Sequence, residues 1–169
     1  MINNSYTANT NTFSSPTTHE IYTNTYVGDK VRIALAPTAV SPVYQTAGSV
    51  GSDLSCLDRV ALMPNQPVMV DTGVSIALPQ GTAGLVYLRS SLALQGIVLC
   101  NGVGVIDPDY RGNIKMLLMN TCATTIVFNK GDRLAQLVIT PVITPQFTVM
   151  TELDSTNRAS GGFGSTGIS

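Results

Sequence analysis

The chain has 169 residues, enough for one domain with a sizeable core, and a formal charge of −1, which excludes a basic field that would hold nucleic acid by its backbone. Only 11% of residues are charged against 44% apolar, a sparse polar surface that large interfaces between copies of the chain would explain. The one histidine, His19, and three cysteines without a C-x-x-C pair exclude Ser-His-Asp and Cys-His mechanisms and a multi-histidine zinc site, so an enzyme of this composition takes a carboxylate as its base.

In chain order, residues 1–28 read as a disordered polar extension, since fifteen of the first 25 residues are Asn, Thr or Ser. The start has neither a basic nor an apolar leader region, and no apolar run approaches membrane-spanning length. The expectation is a soluble protein, cytoplasmic or nuclear and not secreted. The folded domain, 29–154, is expected to begin its strands at Lys30–Leu35. Strand-like runs rich in Val, Ile and Thr then follow at Val68–Val70, Val74–Leu78, Gly84–Leu88, Ile97–Cys100, Ile114–Met119, Thr125–Phe128, Leu134–Ile139 and Phe147–Leu153. Pro, Gly and Asn-Gly separate them at close spacing, which predicts an all-β barrel or sandwich. Ser91–Leu94 predicts a single helical turn after a serine cap. Cys56, Cys100 and Cys122 lie in apolar, strand-like contexts and read as buried free thiols.

Two segments carry chemistry. In Asn101-Gly102-Val103-Gly104-Val105-Ile106-Asp107-Pro108-Asp109-Tyr110-Arg111-Gly112, strand residues enclose Asn-Gly and Asp-Pro-Asp-Tyr. That pattern predicts a β-hairpin with an acidic, tyrosine-bearing end. In the arm formed by residues 155–169, four glycines surround Phe163, with Arg158 before it and Ser165 and Thr166 after it. Such a segment makes neither a stable helix nor a strand, but it can lay a ring on a planar base and aim N–H groups, hydroxyls and a guanidinium at phosphates.

The Asn101–Gly112 segment resembles the third signature of the trimeric dUTPases, which hydrolyse dUTP to dUMP and pyrophosphate. Ser49-Val50-Gly51-Ser52-Asp53-Leu54 resembles the first, Arg89-Ser90-Ser91-Leu92-Ala93 the second and Gly131-Asp132-Arg133-Leu134-Ala135-Gln136-Leu137 the fourth. The glycine-rich arm resembles the fifth. The resemblance spans roughly residues 30–167, and five signatures in order make it specific.

The resemblance implies a jelly-roll-like β-barrel assembled as a homotrimer with an exchanged C-terminal arm. It implies Asp107 as the carboxylate that deprotonates a water for attack on the α-phosphorus. Asn101 and the backbone of Gly104, Val105 and Ile106 would read the uracil edge, Tyr110 would lie against deoxyribose, and Phe163 would stack on the base. Ser90, Ser91, Gln136, Arg158, Gly164, Ser165 and Thr166 would meet the triphosphate, with Arg89 and Asp53 holding one another beside it. Mg2+ would ride on the phosphates through water instead of protein ligands, with Asp53 touching those waters.

Some positions depart from the family pattern. Val50 and Ser52 replace the usual alanine and larger residue of the first signature, Ala159 replaces a common glycine in the fifth, and the loop Leu94–Gly96 is a residue shorter than in many relatives. Three rival readings remain open to the sequence. A dCTP deaminase of the same fold would carry a glutamate where this chain has Leu117, and Asp71-Thr72-Gly73 spells an aspartic-protease triplet without its second segment. A non-catalytic regulatory trimer, with a protein partner for the N-terminal extension, is the third.

Overall fold

A computed structural model describes residues 30–162, and everything below refers to these. The N-terminal extension, and Phe163, Gly164, Ser165 and Thr166 of the arm, lie outside the described residues. Eleven strands and one helical turn follow in chain order: β1 (Arg32–Leu35), β2 (Ser52–Ser55), β3 (Val60–Leu62), β4 (Val68–Asp71), β5 (Val74–Ala77), β6 (Thr82–Leu88), α1 (Ser90–Ala93), β7 (Ile97–Leu99), β8 (Gly104–Ile106), β9 (Lys115–Asn120), β10 (Ile126–Phe128) and β11 (Arg133–Pro141).

All the strand pairs are antiparallel. One sheet runs β2-β11-β6-β8, a second runs β4-β9-β7, and β1-β5 and β10-β3 form two further pairs. Alternation along the strands turns one face inward: on β9, Met116, Leu118 and Asn120 are buried while Lys115 and Leu117 are exposed. Leu54, Val86 and Leu137 from the first sheet meet Val70, Ile97, Met116 and Leu118 from the second in one apolar cluster. The all-β expectation holds. Asn120, fully buried, is satisfied: its amide donates to the carbonyls of Leu62 (2.9 Å) and Thr124 (2.8 Å), and its oxygen accepts Cys122 N–H (2.9 Å).

Four expectations need correction. Phe147–Leu153 forms no strand; Phe147 and Val149 are each 96% exposed, because the segment has β-forming residues but no partner strand in its own chain. The helical turn starts one residue earlier than expected, with Arg89 at the cap position and no side-chain cap bond. Only Cys56 of the three thiols is buried; Cys122 is half-buried and Cys100 is exposed on the outward side of the β7 ladder. The Cys56 thiol donates to Asn129 C=O (2.9 Å), and burial pushes it above the ordinary thiol range. Finally, the hairpin predicted around Asp107 has β7 and β9 as its arms (Leu99 opposite Leu118), but its end is not a tight turn. The chain between them leaves the second sheet and joins the first as β8, Leu85 opposite Val105.

Candidate active site

β8 is the edge of its sheet, so alternate backbone groups on its outer side have no ladder partner and can meet a ligand. The glycines shape this edge. Gly102 sits at φ +69°, and a Cβ on Gly104 would stand 3.1 Å from Val86 Cβ, so the close approach of β8 to β6 requires glycine there. Asn101 donates from Nδ2 to Val103 C=O (3.3 Å), which holds its side chain over the same turn. Val105 points outward, 62% exposed, and Ile106 is half-buried.

Asp107 follows directly on β8 and is exposed, level with Ala83 one step past the Gly84–Ile106 pair. It lines an open cleft of about 440 Å³ with Gln80, Thr82 and Asp109. Its carbonyl accepts Tyr110 N–H (3.2 Å), which starts the turn that carries the tyrosine. Tyr110 lies over Gly112, where a Cβ would come 2.5 Å from the phenol oxygen, and its hydroxyl donates to Asn113 C=O (3.0 Å). Asn101 and Tyr110 do not line the Asp107 cleft.

A second cluster surrounds Asp53, whose side chain is only 3% exposed. Its Oδ2 accepts Arg133 Nη1–H at 2.8 Å; its Oδ1 stands 3.5 Å from Arg89 Nε and accepts Gln136 Nε2–H at 3.3 Å. The expected Arg89–Asp53 pair is therefore present, but Arg133 makes the shorter contact. Sequence reasoning quoted Arg133 within the fourth signature without giving it a role, and the reason is geometric. Residues 133 and 136 of a regular strand face opposite sides, whereas a bulge between Arg133 and Ala135 turns both toward Asp53. Gly51 lets Gln136 lie close, since a Cβ there would be 3.0 Å from Gln136 Cβ. Ser90 and Ser91 follow Arg89 on α1, both exposed. Tyr87, directly opposite Gln136 and so on its face, is a neighbour that no signature flagged.

Two guanidiniums around one carboxylate leave this corner net positive. It suits an anion and does not suit direct protein ligation of a cation. Asp53 has both oxygens engaged, so a metal brought in on phosphates and held through water fits the residues present, while an Asp53-bound metal does not.

Arg158 stands apart from both clusters, its Nε–H bonded to Gly161 C=O (3.0 Å) in a turn that Ala159 N–H closes on Thr156 C=O (3.0 Å). Ala159 is at φ +45°, so the glycine that the family commonly has there is replaced at a position that does need the left-handed region. Ser52, the other departure, donates to Leu137 C=O (3.3 Å) and lines a groove of about 260 Å³ with Val31, Tyr44 and Ile76, where a larger side chain would have room. Val50 is exposed.

The structure does not bring the two clusters together. Asp107 is level with Ala83, while Gln136 and Asp53 are level with Tyr87, about 13 Å further along β6 at ~3.3 Å per residue and two or three strands across the sheet. The protease triplet is a turn: Asp71 Oδ1 accepts Gly73 N–H (2.7 Å) and Thr72 is fully buried. Leu117 stands on β9 with no group able to carry a proton.

An all-β fold that offers an exposed carboxylate beside a free strand edge and, elsewhere, a net-positive corner has the parts of a hydrolase for an anionic substrate. The dUTPase family profile matches residues 38–167. The chain is 43% identical over 136 residues to the deoxyuridine 5'-triphosphate nucleotidohydrolase of Hydrogenobaculum sp., across 79% of this chain and 94% of that protein. To that of Paramecium bursaria Chlorella virus 1 it is 42% identical over 135 residues, 79% and 94% of the two chains. A mutant Staphylococcus bacteriophage 80alpha dUTPase with dUpNHpp aligns with a TM-score of 0.78 at 25% identity, over 83% of this chain and 99% of that one. A mutant dUTPase from phage phi11 of S. aureus, described for the coordination of a structural Mg(II) ion, aligns at 0.68 and 25% identity, over 73% and 98%. The chain belongs to the dUTPase family.

Proposed function

We propose that this chain hydrolyses dUTP to dUMP and pyrophosphate in a homotrimer whose active sites are shared between copies. The observation that carries the reading is the placement of Asp107 beside the free edge of β8 with Tyr110 anchored next to it. The β8 backbone and Asn101 hydrogen-bond the amide-like edge of uracil, and Tyr110 stands against C2′ where a ribose hydroxyl would collide. Asp107 takes a proton from water; the water oxygen bonds to the α-phosphorus; the bond from that phosphorus to the α,β-bridging oxygen breaks, and its electron pair leaves with pyrophosphate. Ser90, Ser91, Gln136 and Arg158, with Ser165 and Thr166 beyond the described residues, donate to the phosphates, while Arg89 and Arg133 keep the corner positive around Asp53. Phe163 and Gly164, also beyond the described residues, are the residues proposed to contact the base and the phosphates.

Magnesium carried on the triphosphate would neutralise charge on the phosphate oxygens. The structural Mg(II) of the phi11 relative supports a divalent ion in this family, and the saturated Asp53 argues for water-mediated contact.

Distance supports sharing between copies. A water held by Asp107 must reach the α-phosphorus, which cannot also sit in a phosphate corner about 13 Å further along β6 and two or three strands across the sheet. The exposed apolar row Phe147, Val149, Met150 and Leu153 gives a second copy something to bury. The deciding experiment measures pyrophosphate release from dUTP, dTTP, dCTP and UTP. Strong preference for dUTP is expected; ammonia release from dCTP, or no hydrolysis of any of the four, sinks the reading.

A further inference from the structure

The Asp71–Gly73 turn touches no part of the proposed substrate path, yet it grips the loop that carries Tyr110. Asp71 uses one oxygen to close its own turn on Gly73 N–H (2.7 Å) and the other to accept Asn113 Nδ2–H (3.3 Å). Asn113 Oδ1 in turn accepts Ser75 Oγ–H (2.9 Å), so both ends of the Asn113 amide are held by the β4–β5 corner. The next residue is held too: Thr72 Oγ1 donates to Ile114 C=O (2.8 Å) and Ile114 N–H donates to Val74 C=O (2.7 Å). The Asn113 carbonyl is the acceptor for the Tyr110 hydroxyl, at 3.0 Å, and among the described residues the phenol has no other hydrogen-bond partner. Where that carbonyl stands therefore decides the tilt of a ring that is otherwise 41% exposed.

We propose that Asp71 is a positioning residue for sugar discrimination, setting through Asn113 where the Tyr110 ring meets the C2′ edge of the nucleotide. The inference rests on Tyr110 facing the sugar, as in the function proposed above. Deoxynucleotide preference then depends on a carboxylate that never contacts the nucleotide.

The test exchanges the two partners. Asp71→Asn keeps an oxygen for Gly73 N–H but sets an amide against the Asn113 amide. Asn113→Asp keeps an acceptor for Ser75 but sets two carboxylates together. The double variant restores one donor and one acceptor with their places swapped. Steady-state kcat and KM for dUTP and UTP are measured on the full-length protein and all three variants, with thermal unfolding alongside. Each single variant is expected to lower dUTP-over-UTP discrimination about 10-fold, the size of one charge-assisted hydrogen bond, and the double to recover most of it. Unchanged discrimination in a folded single variant, or a double no better than its parents, overturns the proposal. Should Asp71→Asn unfold, Asn113→Ala leaves the Gly73 turn intact and is held to the same outcomes. A wild-type protein that releases no pyrophosphate from dUTP refutes the parent reading instead, so the two failures are told apart.

Discussion

At the scale of single residues, glycine positions separate function from stability. A Cβ on Gly112 would meet the far end of the Tyr110 side chain, 2.5 Å from its oxygen and 2.7 Å from Cζ. A ring that can swing outward relieves that clash without disturbing the core. Gly112→Ala is therefore expected to leave the unfolding midpoint within a few degrees of wild type while dUTP-over-UTP selectivity drops by about 10-fold, read from kcat/KM on both substrates. Ala159 gives the complementary case. It sits at φ +45° in an exposed turn closed by Thr156 and Arg158. A β-branched residue at such an angle is a true outlier, so Ala159→Val is expected to open the turn and lower kcat/KM by about 10-fold, whereas Ala159→Gly retains activity. Circular dichroism of the barrel should be unchanged in both, because nothing buried touches the turn.

At the scale of elements, the β4–β5 corner fails differently from the Tyr110 loop. Gly73 is at φ +67°, and a Cβ there would stand 2.8 Å from Ala39 Cβ and 3.2 Å from Ala36 Cβ, neither of which can rotate aside, besides 2.9 Å from Leu57 Cδ1. Gly73→Ala is expected to cost about 2–3 kcal/mol in urea unfolding, from positive-φ strain plus overpacking. Neither effect was visible in the triplet Asp71-Thr72-Gly73, which spells a protease motif without its second segment and whose hydrogen bonds only the fold supplies. The long strands were legible because β6, β9 and β11 each carry a run rich in apolar residues bounded by turn residues, with clean alternation on β9. β3 and β8 were not: β3 lies between Asp58-Arg59 and Met63-Pro64 with no run extending beyond it, and β8 opens on glycine just after the Asn101-Gly102 turn signal. Phe147–Leu153 shows the converse error, since residue preference reports a fit to a pleated surface and says nothing of whether the chain supplies that surface. The signatures named Asp53, Arg89, Asp107 and Gln136 directly, but the role of Arg133 depends on a bulge that no spacing rule anticipates.

At the scale of the whole molecule, the separation of the two clusters makes a quantitative prediction about mixed assemblies. One chain holds Asp107 near Ala83 and the guanidinium corner from the level of Tyr87 onward, so in the proposed closed ring each site would draw the two from different copies. Asp107→Asn removes the base and leaves the phosphate donors whole; the double variant Ser90→Ala/Gln136→Ala removes phosphate donors and leaves the base whole. Each alone is expected to be nearly inactive. When the two are unfolded together in equal amounts and refolded, a site works if its phosphate corner comes from the first variant and its Asp107 from the second. Random mixing gives that combination about a quarter of the time, so pyrophosphate release should recover to roughly 25% of the wild-type rate. A site confined to one chain predicts no recovery at any mixing ratio, because every chain then carries one disabled half. Light scattering on the refolded mixture supplies the control: recovery with trimer mass fits shared sites, and an inactive mixture of intact trimers contradicts them.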